Sequence, residues 1–286
     1  MVVVVCVALA ACTSRSRVTR VTSRCEPSLA SGTYTFDGRA YRVAMPRAGG
    51  SRHPLIVLFH GFASSKEAID ADTGMEQAGT ARGFVVVTPD GTGTPRTWRF
   101  LGPGSADDYA FADALVRDVT SHACIDPHHV YAAGHSAGSA FTGFLVCHPP
   151  FRFAAVAMVE ATIPSTCPAN VTYGVISVHG TADPVVLYDG GLGIGQTVPI
   201  PPVKQTIAAL ATRNHCATPP VDGTQAPGVT RLRYAGCPPG RDVELLSVVG
   251  GGHPWAGGLQ ATSTERQVPG AQYRVTDAIL DFLTRQ

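Results

Sequence analysis

Six short, largely apolar runs most constrain what this chain can fold into. They are Leu55–Phe59, Phe84–Thr88, Val130–Ala133, Ala154–Val159, Val175–Val178 and Val243–Val249. Each has strand length and is rich in β-branched residues, so each reads as a strand buried on both faces. Helical patterns fall between them, at roughly 66–82, 107–123, 137–147, 203–214 and 272–284. Strands alternating with helices predict an α/β fold, a mostly parallel central sheet with helices on both faces. Ahead of them, Thr33–Phe36, the Asp37-Gly38 pair and Ala40–Met45 predict a hairpin. One such domain is expected over residues 31–286, a length ample for a single core. In sheets of this kind, ligands bind beyond the carboxyl ends of the strands.

One strand end carries a distinctive sequence. The strand His129–Ala133 runs into Gly134-His135-Ser136-Ala137-Gly138, and a helix follows at once. A G-x-S-x-G motif between strand and helix is the setting of a nucleophile elbow. The serine sits on a sharp turn, and the flanking glycines let the two backbones approach. Ser136 is thereby the candidate nucleophile, with the Ala137 N–H at the helix N-terminus as an oxyanion donor.

A serine hydroxyl needs a base, and a base needs an orienting acid. On this fold the acid and the histidine follow the serine in that order. Among the ten histidines only His215 and His253 come late enough. His215 lies at a helix end beside Cys216 and reads as a surface residue. His253 lies in Gly250-Gly251-Gly252-His253-Pro254-Trp255 after the last strong strand, and is the expected base. Asp183, in His179-Gly180-Thr181-Ala182-Asp183-Pro184, is the expected acid, with Glu160 as its rival. The second oxyanion donor is expected in His60-Gly61-Phe62-Ala63, from the backbone N–H of Phe62. His60 and His179 read as structural residues shaping turns under the site.

Composition narrows the classes further. A net charge of +1 gives no basic face for nucleic acid. No P-loop, H-E-x-x-H or dinucleotide fingerprint is present, so neither metal nor cofactor is expected. The opening MVVVVCVALAAC is apolar but shorter than the about 20 residues that span a bilayer. Residues 1–12 read as a signal peptide, although no Lys or Arg precedes the apolar run. Leu9-Ala10-Ala11-Cys12 resembles a lipobox, which makes Cys12 a candidate lipidation site. A polar linker is expected over residues 13–30. Eight cysteines occur; setting aside Cys6 and Cys12 leaves an even number with no C-x-x-C pair. That pattern reads as three disulfides in an oxidising compartment, and the spacings do not suit zinc. Proximity in sequence favours Cys147–Cys167 and Cys216–Cys237, leaving Cys25–Cys124, among the other connectivities that remain open.

Together these segments resemble the extracellular α/β-hydrolases grouped with polyhydroxybutyrate depolymerases, feruloyl esterases and acetyl-xylan esterases. The resemblance rests on PLIVLFHG (54–61), DDYAFADALVRDV (107–119), CIDPHHVYAAGHSAG (124–138) and CHPPFRFAAVA (147–157). It continues through HGTADPVVLYDGG (179–191), RNHC (213–216), YAGC (234–237) and GGGHPWAGG (250–258). It implies Ser136, Asp183 and His253 as a triad, a Cys216–Cys237 bridge, and hydrolysis of a carboxylic ester, polymeric or not. His135, Glu160, Leu210, Pro254 and Ala256 depart from the usual family residues. Trp98 and Trp255 are candidates for the pocket wall, and the Gly/Pro-rich stretch 189–202 for a loop beside the site. Rival readings are an acyltransferase on cell-envelope sugars, a serine peptidase on the same fold, and a catalytically silent binding protein.

Overall fold

The computed structural model describes residues 25–47, 52–148, 153–162, 167–168, 170–217 and 219–286. The leader over 1–12, with Cys12, and most of the linker over 13–30 lie outside the described residues.

The strands form one ten-stranded sheet in the order β1-β2-β4-β3-β5-β6-β7-β10-β9-β8. Its centre is parallel: β4 (Val85–Pro89), β3 (His53–Phe59), β5 (Ile125–His135), β6 (Ala155–Val159), β7 (Gly174–Gly180) and β10 (Val243–Val248). The expected hairpin, β1 (Gly32–Phe36) and β2 (Arg39–Ala44), adds antiparallel to β4 at one edge. A second hairpin, β8 (Val221–Ala226) and β9 (Val229–Tyr234), adds antiparallel to β10 at the other.

Burial explains the near-continuous apolar runs. Along β3, Leu55, Val57 and Phe59 face one layer while Ile56 and Leu58 face the other, and all five are buried. The first layer holds α3 (Ser105–His122), α4 (Ala137–Leu145) and α5 (Val203–Arg213), through Leu115, Phe141 and Ile207. The second holds α6 (Val275–Leu283), through Ile279 and Phe282, together with Ile69 and Met75. A side chain pointing either way from a central strand therefore meets apolar neighbours, and alternation disappears from the sequence.

The helix expected over 66–82 is two: α1 (Lys66–Thr73) and α2 (Met75–Ala81). Ser65 caps the first, its Oγ accepting from the Ala68 N–H at 3.2 Å. Gly74 ends it in the left-handed region at φ 62, its N–H donating to Asp70 O at 2.7 Å, the usual role of glycine after a helix. The β8–β9 hairpin was not expected. Strand β8 is polar and exposed along most of its length, and β9 is only partly buried, so neither carries an apolar period. The Pro227-Gly228 turn was the available signal.

Cys25–Cys124, Cys147–Cys167 and Cys216–Cys237 are disulfide-bonded, the pairing favoured by sequence proximity. The first closes a separation of 99 residues and the last one of 21. Chain-entropy arguments assign about 4.7 kcal/mol to a loop of the first size and about 3 kcal/mol to the second. Replacing Cys25 and Cys124 together by serine should therefore lower the denaturant midpoint more than replacing Cys216 and Cys237, measured by equilibrium unfolding.

Candidate active site

Three strand ends and the loop after β3 converge above the carboxyl edge of the sheet. Ser136 lies between β5 and α4 with φ 53 and ψ −117. A non-glycine residue at such a φ is strained and needs its surroundings to hold it. The neighbouring glycines provide that setting. A Cβ on Gly138 would lie 2.2 Å from Phe59 O, and one on Gly134 would lie 2.2 Å from Gly138 O. Strand β3, the turn and the start of α4 therefore touch through bare backbone, and no side chain fits between them.

The imidazole of His253 bridges two partners. Ser136 Oγ–H donates to His253 Nε2 at 2.8 Å, and His253 Nδ1–H donates to Asp183 Oδ2 at 2.7 Å. Of the two rival acids, Asp183 thus holds the ring. Its other oxygen, Oδ1, accepts from the Val185 and Val186 N–H groups at 2.7 and 3.0 Å. Burial raises the proton affinity of this carboxyl. Its contacts with His179 and His253 and the Val186 amide outweigh that and hold it well below the usual carboxylate range. The carboxylate is thus held ionised opposite the imidazole of His253.

The glycines before His253 have a concrete function. A Cβ on Gly180 would lie 2.2 Å from Gly252 O, so the 250–252 turn presses against the end of β7. Hydrogen bonds join the two loops: Thr181 N to Val248 O at 2.9 Å, Ala182 N to Gly251 O at 2.8 Å, and Gly250 N to Thr181 Oγ1 at 2.8 Å. The loops carrying Asp183 and His253 are therefore one backbone unit.

The His60-Gly61-Phe62 loop lies against Ser136, since a Cβ on Gly61 would be 3.5 Å from Ser136 Cβ. His60 braces it from beneath. Its Nδ1–H donates to Gly61 O at 2.7 Å and its Nε2 accepts from the Gly91 N–H at 2.9 Å. These bonds need one neutral tautomer, and burial keeps the ring neutral by lowering its pKa. His179 is likewise buried under the site, donating Nε2–H to Val186 O at 2.7 Å. His215 follows Asn214, the residue that caps α5, at φ 58, and is exposed.

Trp98 and Trp255, the candidates for a pocket wall, are buried in the two cores, and Trp255 also lines a small cavity with Glu160, Gly251 and Gly252. Trp98 is 2% exposed and stacks on Phe141 at 5.0 Å between ring centroids. Trp255 is fully buried, its Nε1–H donating to Thr276 Oγ1 at 3.0 Å. It packs in the second layer and anchors the loop that carries His253. Exposed apolar side chains near the site come instead from Phe62 and from Leu192 and Ile194. The latter two lie in the 189–202 loop, which docks beside Asp183 through Ile194 N to Pro184 O at 2.9 Å. No aromatic flagged them, because a single exposed Leu or Ile in a loop carries no pattern.

Glu160, Asp183 and His253 offer ligand atoms within 4.8 Å of one another. Two of the three are already joined in the Ser136 relay, and their mutual hydrogen bonds account for the cluster.

Fold and site together define an α/β-hydrolase. Residues 39–208 match the family described as Esterase PHB depolymerase, and the chain belongs to it. Feruloyl esterase B of Piromyces equi is 29% identical over 72% of this chain, although the match spans only 40% of that protein's length. NocK of Nocardia uniformis subsp. tsuyamanensis is 32% identical over 86% of this chain and 79% of its own. Feruloyl esterase D of Neurospora crassa is 27% identical over 75% of this chain and 73% of its own. Among solved structures, the acetyl xylan esterase from Aspergillus awamori superposes with a TM-score of 0.58. It is 12% identical and covers 84% of this chain and 98% of its own, which shows a common fold.

His135, in the variable position before Ser136, gives a test of this packing. It donates Nε2–H to His253 O at 2.9 Å. Burial, and then the neighbouring His253, lower its pKa from 6.5 to about 4. The unfolded chain therefore binds a proton before the folded one does, and stability is lost as pH falls from about 6.5 to about 4. Thermal unfolding across that range should show a shallower decline in His135→Leu than in the wild type.

Proposed function

We propose that this protein is a serine esterase that cleaves carboxylic esters through an acyl-enzyme on Ser136. The observation that carries the reading is the continuous relay Ser136–His253–Asp183, with contacts of 2.8 and 2.7 Å. His253 takes the Ser136 proton as the oxygen attacks the ester carbonyl. The N–H groups of Phe62 and Ala137, which have no hydrogen-bond partner among the described residues, receive the developing oxyanion. The alcohol leaves with the proton from His253, and water attacks the acyl-enzyme by the same route. This sequence of steps draws on no metal or cofactor.

The family and the feruloyl esterases among its relatives support an ester substrate, and the exposed Phe62, Leu192 and Ile194 suit an apolar or aromatic acyl group. Acetyl, feruloyl and hydroxyalkanoate esters, free or on a polymer, are the substrate classes proposed. Three disulfides support an extracytoplasmic setting. No helix among the described residues is long and apolar enough to cross a membrane. The lipobox-like Leu9-Ala10-Ala11-Cys12 supports a lipid on Cys12 as a means of attachment. No specific observation favours transfer to sugars or cleavage of peptides.

The test compares wild type with Ser136→Ala on p-nitrophenyl acetate, p-nitrophenyl butyrate, methyl ferulate and a hydroxybutyrate oligomer. The variant should lose at least about a thousandfold in kcat, and the order of wild-type rates sizes the acyl site. Equal rates in the two proteins would overturn the assignment.

A further inference from the structure

Glu160 stands at the end of β6, and no step of the reaction above uses it. Its side chain is 1% exposed. Its backbone is left-handed at φ 56, a conformation that costs a non-glycine residue about 1 kcal/mol or more and persists only where the surroundings enforce it. Here the Glu160 N–H donates to Val178 O at 3.0 Å, and Glu160 Oε2 accepts from the Gly180 N–H at 2.9 Å. The same oxygen is 3.7 Å from His179 Nε2. A carboxyl oxygen lies within 4.8 Å of both an Asp183 oxygen and a ring nitrogen of His253.

The ionisable groups around it set its protonation state. Asp183 and His179 face it from β7 and the following loop. His253 faces it from the turn after β10, with His135 behind that ring at 5.3 Å. Glu265 lies across a small cavity that Glu160 also lines, next to Gly251 and Gly252. No Lys or Arg pairs with Glu160 among the described residues. An unpaired charge is expensive to bury, and two adjacent carboxyls do not both ionise readily. Asp183 has two amides and an imidazole to hold its charge, so the proton belongs on Glu160. Burial pushes the Glu160 carboxyl well above the usual range.

We propose that Glu160 is a protonated positioning residue, its O–H directed to Asp183 so that the carboxylate keeps one orientation toward His253. A neutral carboxyl donates and accepts at once. The Gly180 amide occupies the accepting side, and the donor is left for the acid of the relay. A glutamine has the same shape and the same pair of functions, and an alanine has neither.

This inference rests on the Ser136 reading, so Ser136→Ala is measured alongside. The experiment records kcat and KM of wild type, E160Q and E160A on p-nitrophenyl acetate across pH, with thermal unfolding of each. E160Q should keep kcat within about threefold of wild type, with the acid-side midpoint of kcat/KM in place. E160A should lose about 10- to 100-fold in kcat, the range typical of losing an outer partner of a working group, with KM changed less. Its acid-side midpoint should move to higher pH. Without the donor, the charge of Asp183 is less neutralised, and an imidazole beside a less neutralised carboxylate holds its proton more tightly.

A midpoint moving to lower pH in E160Q would mean that Glu160 is ionised, and would overturn the proposal. So would E160Q losing as much as E160A, or a folded E160A matching wild type. If E160A does not fold, the two E160Q readouts decide. Persistent activity in Ser136→Ala would remove the relay itself, and this inference with it.

Discussion

The site depends on bare backbones touching at the elbow. Strand β3, the turn at Ser136 and the first turn of α4 meet where Gly134 and Gly138 leave no room for a Cβ. That contact forces the serine into its positive φ and lifts Oγ clear of the sheet. It also brings the His60-Gly61-Phe62 loop alongside, because that loop leaves β3 at the point of contact. The geometry at Ser136 and the placement of the His60-Gly61-Phe62 loop thus share one cause. The strain at Ser136 is offset by the core of the first layer, where the rings of Phe59, Phe141 and Trp98 pack against one another.

A second backbone contact does the same for the other half of the site. The end of β7 and the Gly250–Gly252 turn are pressed together at Gly180 and hydrogen-bonded along the seam. Asp183 and His253 are distant in sequence, yet they belong to one unit that Trp255 fastens to α6 through Thr276. Because Asp183 also takes two amides from its own loop, its orientation does not depend on the histidine alone. Electrostatic preorganisation here is a matter of loop geometry more than of long-range charge.

Much of this was legible in the chain. The apolar runs marked the central strands because burial on both faces removes alternation. Ser136, Asp183 and His253 each sit in a glycine-bearing turn after a strand, and chain order separated His253 from His215. Two kinds of feature were hidden. Trp98 and Trp255 gave no sign of which way they pointed, since tryptophan serves cores and pocket walls alike and only tertiary packing decides. The β8–β9 hairpin lay at an exposed edge, where residues such as Asp222 and Thr224 satisfy solvent and need no period. Gly74 split a helix that the pattern ran straight through, because amphipathic spacing continues across a break of one residue.

The 189–202 loop has a different standing from everything beneath it. Its two ends are bridged by paired hydrogen bonds between Gly191 and Ile200, at 2.8 and 2.9 Å. It grips the body of the protein through a few contacts with Pro184 and Val185. A loop closed at its base changes length at small entropic cost, and none of the sheet's registers passes through it. Its tip, with Leu192, Ile194 and Val198 exposed, is therefore an interchangeable module. Its length and side chains can change while the strand registers and the contacts joining Ser136, His253 and Asp183 stay as they are.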